Sequence, residues 1–288
     1  MFLIDYHLHT YRSDDARHSL MQICQYAVRK GIKEIAVTDH FEPTAENVNY
    51  SGYNPKACIR DIEKARRAYK GWLNIKFGIE LGHPHLYPES SERIINQYPY
   101  DFVLASGHKM KGDVDFSEIN YQFVNLNKYC NIYLDNLKAL AEWGQYDCVG
   151  HFDLVKRYAA RQGVKIDLYK DYKDKVTEIL KIIIKKNKGI EINTSGLRQY
   201  SKDCLPDYDI VKLYHELGGN IITVGSDAHT APDVGEGVVD GYKVLLNAGF
   251  SHVTIFDQRI ARNIIIEDPE EYLEKNNNCR IIDLAVNM

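Results

Sequence analysis

Residues 2–9 read Phe2-Leu3-Ile4-Asp5-Tyr6-His7-Leu8-His9. A short apolar run ends on two imidazoles spaced two apart, and on an extended chain such residues face the same side. The design recurs. Thr38-Asp39-His40 closes a run over 34–38, Gly78-Ile79-Glu80 one over 75–79, and Ser106-Gly107-His108 one over 102–105. Gly150-His151 ends the run at 148–150, Glu191-Ile192-Asn193 closes 190–193, and Ser226-Asp227-Ala228-His229 follows 221–224. An eighth run lies at 253–256. All are short and mostly unbroken apolar, as buried parallel strands are.

Between them lie stretches of helical period at 19–30, 55–70, 88–97, 117–143, 168–187, 207–217 and 233–247. Pro55 suits a first helical turn and Gly31 a C-terminal cap. Residues 111–131 read as a loop entering the long fourth helix. Strands alternating with helices make βα units and a parallel sheet. The polar strand ends decide between a barrel and an open sheet. In a barrel the C-terminal ends converge on one mouth, where active sites sit, whereas an open sheet would spread them along a crevice. Closure is therefore expected, in an α/β fold. No Ser/Gly-rich linker, charge block or repeat divides the chain, so a single domain over 1–288 is expected, with the tail 276–288 unassigned.

The 288 residues carry net charge −4, with 26% charged and 44% hydrophobic residues, which excludes wholesale disorder. The mildly acidic balance argues against a dedicated nucleic-acid binder, which carries a basic excess. The six cysteines, at 24, 58, 130, 148, 204 and 279, are never closer than 18 residues, so no CxxC pair exists. No secretory leader is seen and no apolar run approaches the about 20 residues of a membrane helix, so a cytoplasmic protein with free thiols is expected.

Imidazoles with carboxylates suit Zn, Mn and Fe. The candidates are His7, His9, Asp15, His40, Glu80, His108, His151, Asp227 and His229. That is too many for one ion. Two or three divalent ions are implied, with at least one carboxylate bridging. Such ions activate water and neutralise charge at a phosphoryl group, so hydrolysis of a phosphate ester is the natural use.

The order HxH, TDH, a Glu after the third strand, two isolated histidines and SDAH resembles the polymerase and histidinol phosphatase (PHP) family over roughly residues 3–260. The resemblance implies a distorted (β/α)7 TIM-like barrel with a trinuclear metal site. It places His7, His9, Glu80 and Asp227 on the first ion, Glu80, His108 and His151 on the second, and Asp15, His40 and His229 on the third. Asp15 stands where relatives often have His, and Asp14 beside it leaves that choice open. Within the family, length and layout resemble phosphatases that convert L-histidinol phosphate to L-histidinol and phosphate. The mechanism implied is direct attack on phosphorus by a metal-bridging hydroxide, with Glu80 bridging and Asp227 also handling protons. Asp5, Asp39 and Asp153 are placed to orient ligands.

Phosphate calls for cations beyond the metals, and Arg161 and Arg198, on loops after the fifth and sixth strands, are expected over the mouth, with Lys109 a third choice. Glu42 or Asp115 would meet the histidinol amine. His83 and His85 are read as loop residues. Tyr158 and Tyr200 are candidates to line the mouth. The alternatives are another PHP phosphoesterase, acting on nucleoside phosphates, oligonucleotides or phosphotyrosine, and a metal-dependent amidohydrolase, which would want a lysine where His108 stands. Metal identity and oligomeric state are left open.

Overall fold

The computed structural model describes residues 1–266 apart from Ser51. Cys279 and the tail 276–288 lie outside the described residues. Seven parallel strands follow one another around a barrel: β1 (Leu3–Leu8), β2 (Ile32–Val37), β3 (Asn74–Gly82), β4 (Phe102–Ser106), β5 (Cys148–Val149), β6 (Gly189–Asn193) and β7 (Ile222–Gly225). All but β2 and β3 are buried at every position. That explains why their sequences are apolar throughout rather than alternating.

The circle nearly closes beyond the end of β7. Asp227 N donates to His7 O (2.7 Å), His9 N donates to Ala228 O (2.9 Å), and Leu8 bridges Ala228 in parallel. Gly225 permits this approach, because a Cβ there would overlap His7 and Glu191. After β2 the chain re-enters the sheet as the two-residue strand His40–Phe41, which pairs with β3 and sets His40 opposite Glu80.

Helices α1 (Leu20–Arg29), α2 (Pro55–Ala68), α3 (Pro88–Gln97), α4 (Leu126–Trp143), α5 (Val155–Arg161), α6 (Leu168–Lys185), α7 (Ser195–Arg198), α8 (Tyr208–Glu216) and α9 (Val238–Ala248) fill the connections. Ser19 and Gln22 form a capping box on α1, and Pro55 opens α2. The fourth helix starts at Leu126, after a loop, a short hairpin pairing Lys109–Met110 with Val114–Asp115, and a 3-10 turn at Phe116–Glu118. Helices α5 and α7 are shorter than the periodicity can register.

The eighth run is not a barrel strand. It forms β8 (His252–Asp257), which pairs antiparallel with β9 (Ile260–Ile265). The ribbon lies across the end of the barrel where the strands begin. Thr254 Oγ1 accepts from Ile222 N (3.0 Å), Arg259 N donates to Asp101 O (2.9 Å), and Arg259 Nη2 lies 3.1 Å from Asp147 Oδ1. Phe256 packs 5.0 Å from Phe102, whose ring meets Tyr6 at 5.1 Å. Apolar content is thus satisfied by plugging one end, and the other end stays open for polar residues.

Candidate metal centre

At the open end the strand-terminal side chains converge around Glu80, whose carboxylate is fully buried. Its Oε2 lies 3.3 Å from His7 Nε2 and 3.5 Å from His9 Nε2. Asp227 Oδ1 completes this set at 3.6 Å from both imidazoles. Glu80 Oε1 faces the other way, 3.3 Å from His108 Nε2 and 3.2 Å from His151 Nε2. A third set lies further out. Asp15 Oδ2 is 3.0 Å from His229 Nε2 and 3.6 Å from His40 Nε2, and His40 Nδ1 reaches back to Glu80 Oε2 at 2.9 Å. Asp14 is turned away from that set and accepts from Tyr50 OH (3.2 Å).

Four of the six imidazoles, His7, His9, His108 and His229, are held by the far nitrogen, which leaves the near one for the centre. His7 Nδ1 is 2.7 Å from Glu191 Oε1, whose other oxygen accepts from His151 N (2.9 Å) and from Asn193 Nδ2 (3.2 Å). His9 Nδ1 faces Ser13 Oγ (3.4 Å), which donates to Asp39 Oδ1 (3.1 Å). His229 Nδ1 donates to Asp227 O (3.1 Å). His108 Nδ1 bonds Glu42 Oε1 (2.5 Å). Asp5 accepts from Ser226 N (2.8 Å) and Ser226 Oγ (2.6 Å) and so fixes the start of the Asp227 turn. Asp227 takes a left-handed backbone (φ 53°), a conformation that Asp tolerates better than most residues.

The donor set fits divalent cations. Among the described residues, four groups of three nitrogen or carboxylate ligand atoms each lie within 4.8 Å of one another. Glu80 Oε2 is buried and accepts no hydrogen bond despite the imidazoles around it. Ring nitrogens that turn lone pairs toward a carboxylate need a cation between them. Burial raises the Glu80 pKa, but His7, His40 and His108 outweigh it and hold the group well below the carboxylate range. Burial and the neighbouring His40 and His229 push His9 down to about 3, so its ring is neutral, whereas the facing carboxylates push His7, His40 and His108 well up against the effect of burial.

Two connected hollows open on this centre. One, of about 350 Å³, is lined by the centre itself with Asp14, Glu42, Tyr50, Asp115, Ser117, Arg157 and Tyr158. The other, of about 570 Å³, is lined by Arg157, Tyr158, Arg161, Arg198, Tyr200 and Asp233, among others. Arg157 stands at the junction and donates to Asp227 Oδ2 (2.8 Å) and Ser195 Oγ (3.1 Å).

Arg157 escapes the sequence reading because α5 does, and only the neighbouring Arg161 is singled out. Arg161 and Arg198 end short helices rather than lying on loops. Arg161 is exposed in the second hollow, while Arg198 donates to Ser226 O (2.7 Å) and Asp227 O (2.9 Å) and braces the turn that carries Asp227. Lys109, on the short hairpin, is not among the residues lining either hollow. Glu42, expected to meet substrate, is engaged by His108 and, at 3.3 Å, by His40. Asp153 does not orient a ligand. It bonds Lys156 (2.8 Å), which is also 3.3 Å from Asp207 and 3.4 Å from Asp203. Glu191, which holds His7, sits in the quoted run at 190–193 without a role assigned from sequence. His83 and His85 remain outside, bonded to Pro43 O (2.8 Å) and Asn136 Oδ1 (2.9 Å).

Comparison with known proteins finds a family model and relatives that match most of the chain. A model described as the PHP domain matches residues 5–195. A protein of Clostridium acetobutylicum named probable histidinol-phosphatase is 28% identical over 265 residues, covering 90% of this chain and 99% of its own. The histidinol-phosphatase of Lactococcus lactis is 26% identical over 258 residues, covering 88% of this chain and 94% of its own. The crystal structure of histidinol phosphate phosphatase from Lactococcus lactis, complexed with zinc, L-histidinol and phosphate, superposes with TM-score 0.78 at 24% identity and covers 90% of this chain and 98% of that one. Among the described residues no helix is long and apolar enough to cross a membrane.

Proposed function

This chain belongs to the PHP family, and on that premise we propose that it is a metal-dependent phosphomonoesterase hydrolysing L-histidinol phosphate to L-histidinol and inorganic phosphate. One observation carries the reading. The two oxygens of Glu80 face separate imidazole sets, His7 with His9 and His108 with His151, which suits a carboxylate shared between two ions. The names of the relatives support the choice of substrate.

Two to three ions, of Zn, Mn or Fe, accord with the donors. His7, His9, Glu80 and Asp227 would hold the first, Glu80, His108 and His151 the second, and Asp15, His40 and His229 the third. Bound there, divalent ions supply an activated water and neutralise charge at phosphorus.

The chain's own groups do the rest. Arg157, at the junction of the two hollows, offers its guanidinium fork to the phosphoryl oxygens. Burial raises the Asp227 pKa, but His7, His9 and Arg157 outweigh it and hold the group well below the carboxylate range, so Asp227 is ionised, as a ligand must be. Arg161 adds a second cation at the rim. Glu42 and Glu191 keep His108 and His7 turned inward. The free buried thiols of Cys24, Cys58, Cys130, Cys148 and Cys204 suit a cytoplasmic setting.

The test is phosphate release by metal-reconstituted protein over L-histidinol phosphate, AMP and phosphotyrosine. L-histidinol phosphate is expected to have the highest kcat/KM. A tenfold advantage for AMP or phosphotyrosine, about 1.4 kcal/mol in transition-state binding, would overturn the substrate assignment.

A further inference from the structure

The cavity over the metal centre is charged oppositely at its two ends. Arg157, Arg161 and Arg198 line the larger hollow, where Asp233 is engaged by Thr230 Oγ1 (2.9 Å) and faces Arg198 at 4.0 Å. Asp14, Glu42 and Asp115 line the smaller one, outside the ligand sets. Two of these three acids are already engaged. Glu42 bonds His108 and faces His40, and Asp14 is exposed and accepts from Tyr50 OH (3.2 Å).

Asp115 differs. It ends the short hairpin opposite Lys109, and the next residue, Phe116, donates its N–H to His108 O (3.0 Å). That bond ties Asp115 to the strand end carrying one metal-binding imidazole. Asp115 Oδ1 accepts from Ser117 N (2.7 Å). Its Oδ2 has no hydrogen bond among the described residues, and no cation lies within ion-pair distance of either oxygen. An acid with an open oxygen thus faces the same cavity as the ions, on the side away from Arg161 and Arg198.

Resting on the phosphatase reading, we propose that Asp115 is the residue that selects a cationic leaving group, binding an ammonium on the carbon next to the ester carbon. On that reading the phosphoryl group would be held by the ions and by Arg157, which lines both hollows. A leaving group directed into the larger hollow would meet two more guanidinium groups, which repel an ammonium. Directed into the smaller hollow it meets the open oxygen of Asp115. The charge pattern therefore sets the direction in which the ester lies, and it favours amino-alcohol phosphates over neutral or anionic esters.

O-phosphoethanolamine and ethyl phosphate differ only by that ammonium, and 3-phosphoglycerate supplies the anionic comparison. In the wild-type enzyme, kcat/KM for O-phosphoethanolamine should exceed that for ethyl phosphate by tenfold or more, with 3-phosphoglycerate the poorest of the three. Asp115→Asn keeps the acceptor for Ser117 N and should bring the first ratio below threefold, mainly by raising KM for the cationic ester. Asp115→Glu should restore part of it. An unchanged ratio in Asp115→Asn, an equal loss on both esters, or a wild-type preference for 3-phosphoglycerate overturns the proposal while L-histidinol phosphate is still hydrolysed. No hydrolysis of L-histidinol phosphate by the wild-type enzyme overturns the phosphatase reading, and this inference with it.

Discussion

Glu191→Gln alters one carboxylate that touches members of both proposed ion sets, His7 and His151. Three donors converge on it: His7 Nδ1 at 2.7 Å, His151 N at 2.9 Å and Asn193 Nδ2 at 3.2 Å. All of these residues are buried. Glutamine replaces one acceptor oxygen with an NH2 group. If its remaining oxygen stays on His7, the amide donors face the His151 N–H and the Asn193 amide, and buried donors lose their acceptor. If it turns, the NH2 faces His7 Nδ1, the ring takes the other tautomer, and Nε2 carries a proton toward Glu80. Either arrangement leaves at least one buried group unsatisfied, at about 1–3 kcal/mol. Groups that orient metal ligands typically account for about 10- to 100-fold in affinity, in line with that cost. Zinc titration against a chromophoric chelator at neutral pH should show a Kd raised by about that factor. Far-UV circular dichroism should remain that of the wild type. A folded variant whose Kd lies within twofold of wild type would refute the assignment of Glu191 as the group that orients His7.

Arg157→Met removes the guanidinium at the junction of the hollows and should lower kcat/KM by about 10²–10³, as lost transition-state donors do; a loss below threefold in a variant of unchanged zinc content would take Arg157 out of the phosphate site. Chelation with EDTA should lower Tm, since ligand present at 100 times its Kd contributes about 2.7 kcal/mol to stability, and added zinc should restore it; an unaltered Tm would deny that the ions stabilise the fold. Glu34, at the plugged end, has its pKa raised by burial, against the pull of Tyr6, Lys76 and Asn74. Between the ordinary carboxyl value and the raised one, the folded chain holds more protons than the unfolded chain, so stability falls as pH rises through that window. Glu34→Gln removes this dependence, and its Tm relative to wild type should climb with pH across the window; a constant difference would contradict the assignment.

The strand ends were legible because chemistry and topology coincide there. A polar residue that terminates a fully apolar run has few structural excuses, so His7, His9, Glu80 and Asp227 announced themselves. The groups that hold them were less so. Glu191 lies on a strand whose neighbours are equally buried, and nothing in the local pattern says that its carboxylate turns to His7 rather than to solvent. Arg157 was hidden because α5 is only seven residues long, too short for a period to register. The β8–β9 ribbon was missed for a different reason. Its turn, Gln258-Arg259, takes positive φ at both positions (48° and 64°), where Asn and Gly are the usual signal. Without that signal the apolar run at 253–256 looks like an eighth barrel strand.

The contact between β1 and the turn after β7 also has a mechanical meaning. His7 and Asp227 come from opposite ends of the described chain, and both belong to the donor set proposed for one ion. An ion gripping both would act as a removable cross-link across a loop of more than two hundred residues. Loop-closure entropy rises with loop length, so such a link restricts the unfolded chain more than one joining neighbouring strands would. It also cannot be made until the last of its partners has been synthesised. Until Asp227 has emerged and met His7, the nascent chain offers only part of that proposed set, so loading of the site would follow completion of the barrel and lock its seam.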